Sequence, residues 1–185
     1  MGLTKYKLGE LIFLTDERNI DGRYSLNDVK GISTEKVFID TKANMDGVSL
    51  DSYKVVNPRE FAYVPDTSRR GDKIALAFNN GPSSVLISSI YTTFMCNRLD
   101  LLLPEYLHMF FNRPEFDRYA RYNSWGSARE TFSWEDFCDT IITLPSLEVQ
   151  EHFASIFIAY TKCSFTKQPS NLCSILIKGS ILEMN

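Results

Sequence analysis

The sequence predicts a mixed α/β fold of the α+β kind: short strands and short helices, closed by an amphipathic helix at the C-terminal end. Three observations carry that prediction. Between residues 36 and 94, short runs rich in β-branched and aromatic residues alternate with Gly, Pro, Asn and Asp turn signals. After Pro104 the apolar spacing lengthens to that of a helix, and after Pro145 it does so again over a longer stretch. Residues 1–145 therefore read as one globular domain and 146–185 as a helical segment appended to it.

Taken in order, residues 6–14 (YKLGELIFL) read as a short helix or a strand. Residues 15–28 are polar, hold the turn pairs Asp21-Gly22 and Asn27-Asp28, and read as loop. Strands are expected at 36–39 and 53–56, with an Asp46-Gly47 turn between them and Asn57-Pro58 ending the second. The alternating run 60–65 is a further strand, and the polar turn 67–71 that follows carries Arg69 and Arg70. Strands at 73–79 and 85–88 are joined by an Asn80-Gly81-Pro82 turn, and another fits 90–94. Pro104 suits a first helical position, where its missing N–H had no partner to lose. Tyr106, Leu107, Phe110 and Phe111 form the inner face of that helix. Pro114 opens a second helix to residue 122, with Phe116, Tyr119 and Ala120 inward and Arg118 and Arg121 on the other face. After the loop 123–131, Ser133 and Asp136 make a capping box for a short helix, and 139–144 return to strand. Ser146 as N-cap and Glu148 in the first turn then start the last helix. Val149, Phe153, Ile156, Phe157 and Tyr160 form its apolar stripe. From 146 to 168 it would span about 34 Å, and Pro169 breaks it.

At 185 residues, 44% hydrophobic and 23% charged, the chain can bury one core and carry an appendage. No stretch approaches the roughly 18 apolar residues of a membrane span. No apolar segment follows Lys5 and Lys7, so no signal peptide is read and a cytoplasmic protein without membrane contact is expected. Cysteines at 96, 138, 163 and 173, with only His108 and His152 to assist, fit no metal-ligand spacing, so neither metal nor cofactor is expected. His108, inside an apolar helix, reads as a satisfied core histidine rather than a catalyst. Gly-x-Ser-x-Gly elbows, Gly-x-x-x-x-Gly-Lys phosphate loops and Asn-Pro-Pro-Tyr adenine methyltransferase motifs are all missing, which argues against hydrolase, NTPase and methyltransferase roles. The net charge of −3 weighs against a nucleic-acid partner unless the positive charge clusters on one face.

Two segments carry a resemblance. Residues 53–76, YKVVNPREFAYVPDTSRRGDKIAL, have a Tyr-x-Val-Val run followed by an aromatic-Ala-Tyr strand, a Pro and a polar turn. Residues 102–153 have Leu-Pro-x-Tyr-Leu at 103–107, Gly-Ser-x-Arg at 126–129 and Leu-Pro-x-Leu-x-x-Gln at 144–150. In this order and spacing the chain resembles the specificity subunits of type I restriction–modification systems. The resemblance implies an α/β target-recognition domain attached to a helix that packs on another helix. It implies duplex DNA as ligand, and as partners methyltransferase subunits that bind S-adenosylmethionine and a restriction subunit that uses ATP. A specificity subunit holds no catalytic residue; it positions the methyltransferase, which extrudes its adenine from the stack. A full subunit has two recognition domains and two long helices, whereas this chain has room for one of each, and its last helix is short.

The candidate contact residues are weighed against bland readings. In the loop 124–129 (SWGSAR), Ser127 and Arg129 suit phosphate contact, and Gly126 lets backbone approach closely. The alternative has Trp125 in the core and Arg129 paired to Glu130 or Asp136. Arg69, Arg70 and Lys73 suit guanine or phosphate, or else form a solvated turn neutralised by Asp66 and Asp72. Arg113, Arg118 and Arg121 could make a basic stripe, or pair along the helix as Asp117 with Arg121 would. Arg23, with Arg18, Asn19 and Tyr24, lies in a polar loop able to reach base edges or to remain plain surface. The expected function is sequence-specific DNA recognition without catalysis, with a possible homodimer through the stripe of the last helix. The competing reading is a scaffold that assembles through that helix and reads no DNA.

Overall fold

The computed structural model describes residues 2–41, 43, 45, 47–68, 73–127 and 129–165, with side chains to residue 161. The stretch read as helix or strand at the start is strand, 3-10 turn, strand: β1 (Thr4–Lys7), Leu8–Glu10, then β2 (Ile12–Thr15). A second 3-10 turn, Leu26–Asp28, leads into a hairpin of β3 (Lys30–Ile32) and β4 (Phe38–Asp40). The first of these strands was not expected: it is three residues long, and Gly31 at its centre has no side chain to show an alternation. Next come β5 (Lys54–Val56), β6 (Phe61–Tyr63), β7 (Leu76–Phe78), β8 (Val85–Ile87) and β9 (Thr92–Cys96). Helices α1 (Pro104–Phe111), α2 (Pro114–Tyr122) and α3 (Trp134–Cys138) follow, then β10 (Ile141–Leu144) and α4 (Leu147–Phe165). Both prolines open their helices as expected, and the Ser133 hydroxyl accepts the Asp136 N–H at 3.1 Å.

One four-stranded antiparallel sheet, in the order β2-β9-β6-β7, is the backbone of the fold. Its β6 corrects the expectation of an alternating strand, because Phe61, Ala62, Tyr63 and Val64 are all buried. Phe61 and Tyr63 face helices α1–α3. Ala62 and Val64 face a second layer that includes Ile32, Val56 and Ile87. A strand covered on both faces has no polar side to show. The large rings gather on the helix side. Phe61 stacks on Phe78 at 4.6 Å and on Phe94 at 5.0 Å, and its ring meets Phe111 edge-on. Burying each such ring contributes about 1.5–3 kcal/mol. The strands on either side of Asn80-Gly81-Pro82 do not pair with each other. β7 adds to β6 while β8 pairs with β5 in the second layer, so the turn carries the chain between layers.

α4 docks on α1 through Gln150 and Ala154, both buried, and through Phe157, whose ring lies 5.6 Å from that of His108. His108 also packs against Phe78 at 5.3 Å. Burial pushes its pKa down to about 4, so it sits there as neutral imidazole. It is the core histidine expected, satisfied only in part: the Lys36 backbone is a hydrogen-bond neighbour, while Nε2 has no partner among the described residues. Val149 and Ile156 are half-buried, and Phe153 and Tyr160, 49% and 61% exposed, turn away from the domain. The helix thus has an inward apolar face and an outward one. No described helix is long and apolar enough to cross a membrane.

Candidate nucleic-acid interface

Helix α2 is amphipathic, so when Phe116 and Ala120 enter the core, Arg118, Arg121 and Tyr122 are left on the outside. Opposite them stands the tip of the β3–β4 hairpin, with Thr34, Glu35 and Lys36, and Lys73 rises between the two. Together these residues line an open cleft of about 850 Å³. Lys36 holds its walls together. It adopts a positive φ of 60°, which turns the side chain inward until it is only 4% exposed. Its Nζ donates to the Ile74 carbonyl at 2.9 Å and pairs with the Asp117 carboxylate, which also accepts the Ile74 N–H at 3.1 Å. Burial lowers the pKa of Lys36, and the Asp117 carboxylate acts against that shift.

The cations that reach solvent are each matched by an acid. Lys73 pairs with Glu35 at 2.8 Å, an interaction that raises the lysine pKa and lowers that of the glutamate. Arg118 pairs with Glu115 at 3.1 Å, and Arg121 with Glu130. The expected Asp117–Arg121 pair does not form, because Asp117 is taken by Lys36. Exposed pairs of this kind are worth about 0–1 kcal/mol, so a phosphate can displace the carboxylate at little cost.

Beside the cleft the loop 123–131 leaves the end of α2. Its start is pinned by Ser124, whose Oγ donates to the Ala120 carbonyl at 2.6 Å. Its ends are closed by a pair of backbone bonds, Trp125 N–H to Thr131 at 3.0 Å and Thr131 N–H to Trp125 at 2.9 Å. Gly126 has φ 138°, and a Cβ there would run into the Arg129 carbonyl oxygen, so the turn requires glycine. The loop is also stitched to the segment leading to Lys73, with Thr67 N–H on the Glu130 carbonyl at 2.9 Å and Phe132 N–H on Pro65 at 2.9 Å. Ser127 and Arg129 are exposed at its tip, and Arg129 makes no ion pair among the described residues. Both halves of the bland reading of this loop fail: Trp125 is 63% exposed, and Glu130 goes to Arg121.

The structure therefore sets Lys73, Arg118 and Arg121 in one cleft, and the loop that exposes Ser127 and Arg129 is tied to that cleft through the Arg121–Glu130 pair. Arg69 and Arg70 lie outside the described residues, as does Pro169. Arg23 is exposed and paired to Asp21 at 2.9 Å, and none of its described contacts joins it to the cleft. Arg113 leaves the stripe as well. Its Nε donates to the Phe110 carbonyl at 3.3 Å and its guanidinium lies 4.2 Å over the Phe110 ring, closing the end of α1. Lys36 and Glu35 were missed, and Asp117 was read only as a helical partner of Arg121. No local pattern marks the Lys36–Asp117 pair, whose members are 81 residues apart. Gln150 was quoted only within a motif, yet it is fully buried and makes three hydrogen bonds to backbone. Among the described residues no three His, Cys, Asp or Glu side chains gather as a metal site would need.

No protein-family model matches the sequence, and no curated protein does either. Solved structures do. The HsdS subunit from Thermoanaerobacter tengcongensis superimposes on 89% of this chain and 43% of its own, with TM-score 0.61 and 19% identity. A chain from a structure of the type I R-M system, solved for its complex assembly and conformational transition, covers 98% of this chain and 42% of its own, with TM-score 0.50 and 12% identity. The S subunit of the type I restriction–modification system from M. genitalium covers 86% and 39%, with TM-score 0.50 and 12% identity. At such identities the likeness is one of fold: mixed strands and short helices with a C-terminal helix, over about two-fifths of the length of the solved chains.

Proposed function

We propose that this chain is the DNA-recognition half of a type I restriction–modification specificity subunit, non-catalytic in itself, which directs adenine methylation and cleavage by partner subunits. The observation that carries the reading is the lining of one cleft by Lys73, Arg118 and Arg121, beside a fixed loop that exposes Ser127 and Arg129, in a chain with the fold of such subunits. Phosphates are met by side chains of this kind, and their contacts fix register without reading sequence. Arg69 and Arg70, in the same stretch of sequence as Lys73, stay our candidates for base readout. The partners are methyltransferase and restriction subunits, bound through the helical parts.

In this reading duplex DNA displaces Glu35 and Glu130 from their cations, so binding by the isolated chain is weak and steeply dependent on salt. The expected log–log slope is about −0.9 for each phosphate neutralised. Arg129→Ala should flatten that slope by about 0.9 on every sequence alike. A fluorescence-anisotropy titration at several salt concentrations checks both, and salt-independent binding would contradict the reading. The neutralising acids are what favours the scaffold reading instead, and a chain that binds no DNA even with its methyltransferase partner would establish that one.

One recognition domain reads half of a split target. We place the second half in another copy, docked through the outward face of α4, where Val149, Phe153, Ile156 and Tyr160 recur at coiled-coil spacing. A two-fold dimer would make the DNA target palindromic. Sedimentation should show a dimer at tens of micromolar for the wild type, and a folded monomer for Phe153→Asp with Ile156→Asp. A monomeric wild type rules this dimer out.

A further inference from the structure

We propose that Trp125 stacks on a DNA base, entering the duplex at a step where the stack has opened. The inference rests on the DNA-binding reading above and adds the residue and the mode of contact. Four observations lead to it. First, the indole is 63% exposed, although tryptophan is among the side chains that gain most from burial, and it makes no ring contact among the described residues. Second, it is not a mobile side chain on a slack loop. Its own N–H and carbonyl both bond to Thr131, Ser124 before it is buried and tied to Ala120, and Gly126 after it takes a conformation that only glycine accepts without strain. The position of the Trp125 backbone is therefore set before any ligand arrives, and the ordering cost of contact is small.

Third, its surroundings fit a base better than a protein surface. A docking patch for protein needs several apolar side chains side by side. Here the neighbouring exposed aromatic is Tyr122, 78% exposed, and the rest of the rim is polar or cationic: Ser127, Arg129 and Arg121. That is the composition of a stacking platform beside a backbone-tracking groove, where an aromatic ring meets a π-face that every base has. Fourth, the loop that carries the indole is tied to the cleft, because its Glu130 pairs with Arg121 of the cleft lining. Stacking of this kind tolerates any base, so Trp125 would add affinity and open a step, leaving sequence choice to other residues.

The test uses the full chain with two duplexes of one sequence, one intact and one carrying a single-nucleotide gap that exposes base faces, titrated by anisotropy at low salt. Wild type should prefer the gapped duplex. Trp125→Ala should weaken gapped-duplex binding roughly 5- to 150-fold, the range of one base–aromatic stack, and lose the preference. Trp125→Phe should keep most of it, and Arg129→Ala should weaken both duplexes alike. Because the side chain is exposed, none of these changes threatens the fold, which circular dichroism would verify. If wild type shows no preference, or Trp125→Ala binds both duplexes as wild type does, the proposal is overturned while DNA binding stands, and the indole belongs to a protein contact. Wild type binding neither duplex would remove the DNA reading and this proposal together.

Discussion

Asp117→Ala is expected to destabilise the domain by about 3–5 kcal/mol, the cost of leaving a buried charge without its partner. Lys36 is 4% exposed and Asp117 13%, and the pair ties three elements that are remote in sequence: the β3–β4 hairpin tip, the approach to β7 and helix α2. Without the carboxylate, the Lys36 ammonium keeps one described acceptor, the Ile74 carbonyl, and the Ile74 N–H loses the oxygen it bonds. A Lys36→Met, Asp117→Leu double variant should recover much of the loss, since an apolar pair of similar volume carries no desolvation penalty. Urea unfolding of the wild type, both single variants and the double variant forms a cycle that measures the coupling. Independent, additive effects of the two changes would mean that the pair is incidental. The same change should also splay the cleft, because Lys73 is the residue immediately before Ile74.

Gln150→Ala should cost about 3 kcal/mol or more and loosen α4 from the domain. The side chain is fully buried, and its amide is spent completely on backbone. Its Oε1 accepts the Leu103 N–H at 3.0 Å, and its Nε2 donates to the carbonyls of Leu101 at 2.8 Å and Pro145 at 3.0 Å. Alanine strands all three groups, each at roughly 1–3 kcal/mol where water does not reach. Gln150→Glu should be no milder. It keeps the acceptor, loses both donors and sets a carboxylate against two carbonyl oxygens. Hydrogen exchange at the Leu103 amide reports directly: protection should fall in both variants, and unchanged protection would show that the helix docks without this amide.

These two residues mark what sequence could and could not disclose. The helices were legible because their signals are local: Pro104 and Pro114 at first positions, Ser133 capping Asp136, and the helical spacing of Leu107, Phe110 and Phe111 in α1 and of Phe116 and Ala120 in α2. Strand existence was mostly legible, but partnership was not. Which layer β7 and β8 join depends on side-chain size across the sheet, with Phe61 and Tyr63 on one face and Ala62 on the other. In the candidate site, Lys73, Ser127 and Arg129 stood out by residue type, whereas the acids that neutralise the cations did not. Glu35 meets Lys73 across 38 residues, and Glu130 turns away from its neighbour Arg129 to reach Arg121. Nor does any local pattern tell an exposed tryptophan from a buried one. Trp134 packs on Phe137 while Trp125 stands out in solvent.

The pairing of β1 with β10 sets Thr4 directly across from Leu144, the last residue before the turn into α4. The way into the globular part and the way out of it are thus adjacent strands of one ribbon. Joining two such points by a short linker closes only a small ring, and the entropy of closure grows slowly, as about (3/2)RT ln n for n linker residues. A short connection made at this ribbon would leave the pairing of β1 with β10 intact, so the stretch from Thr4 to Leu144 is expected to accept a new link there, at the cost of the contacts that α4 makes.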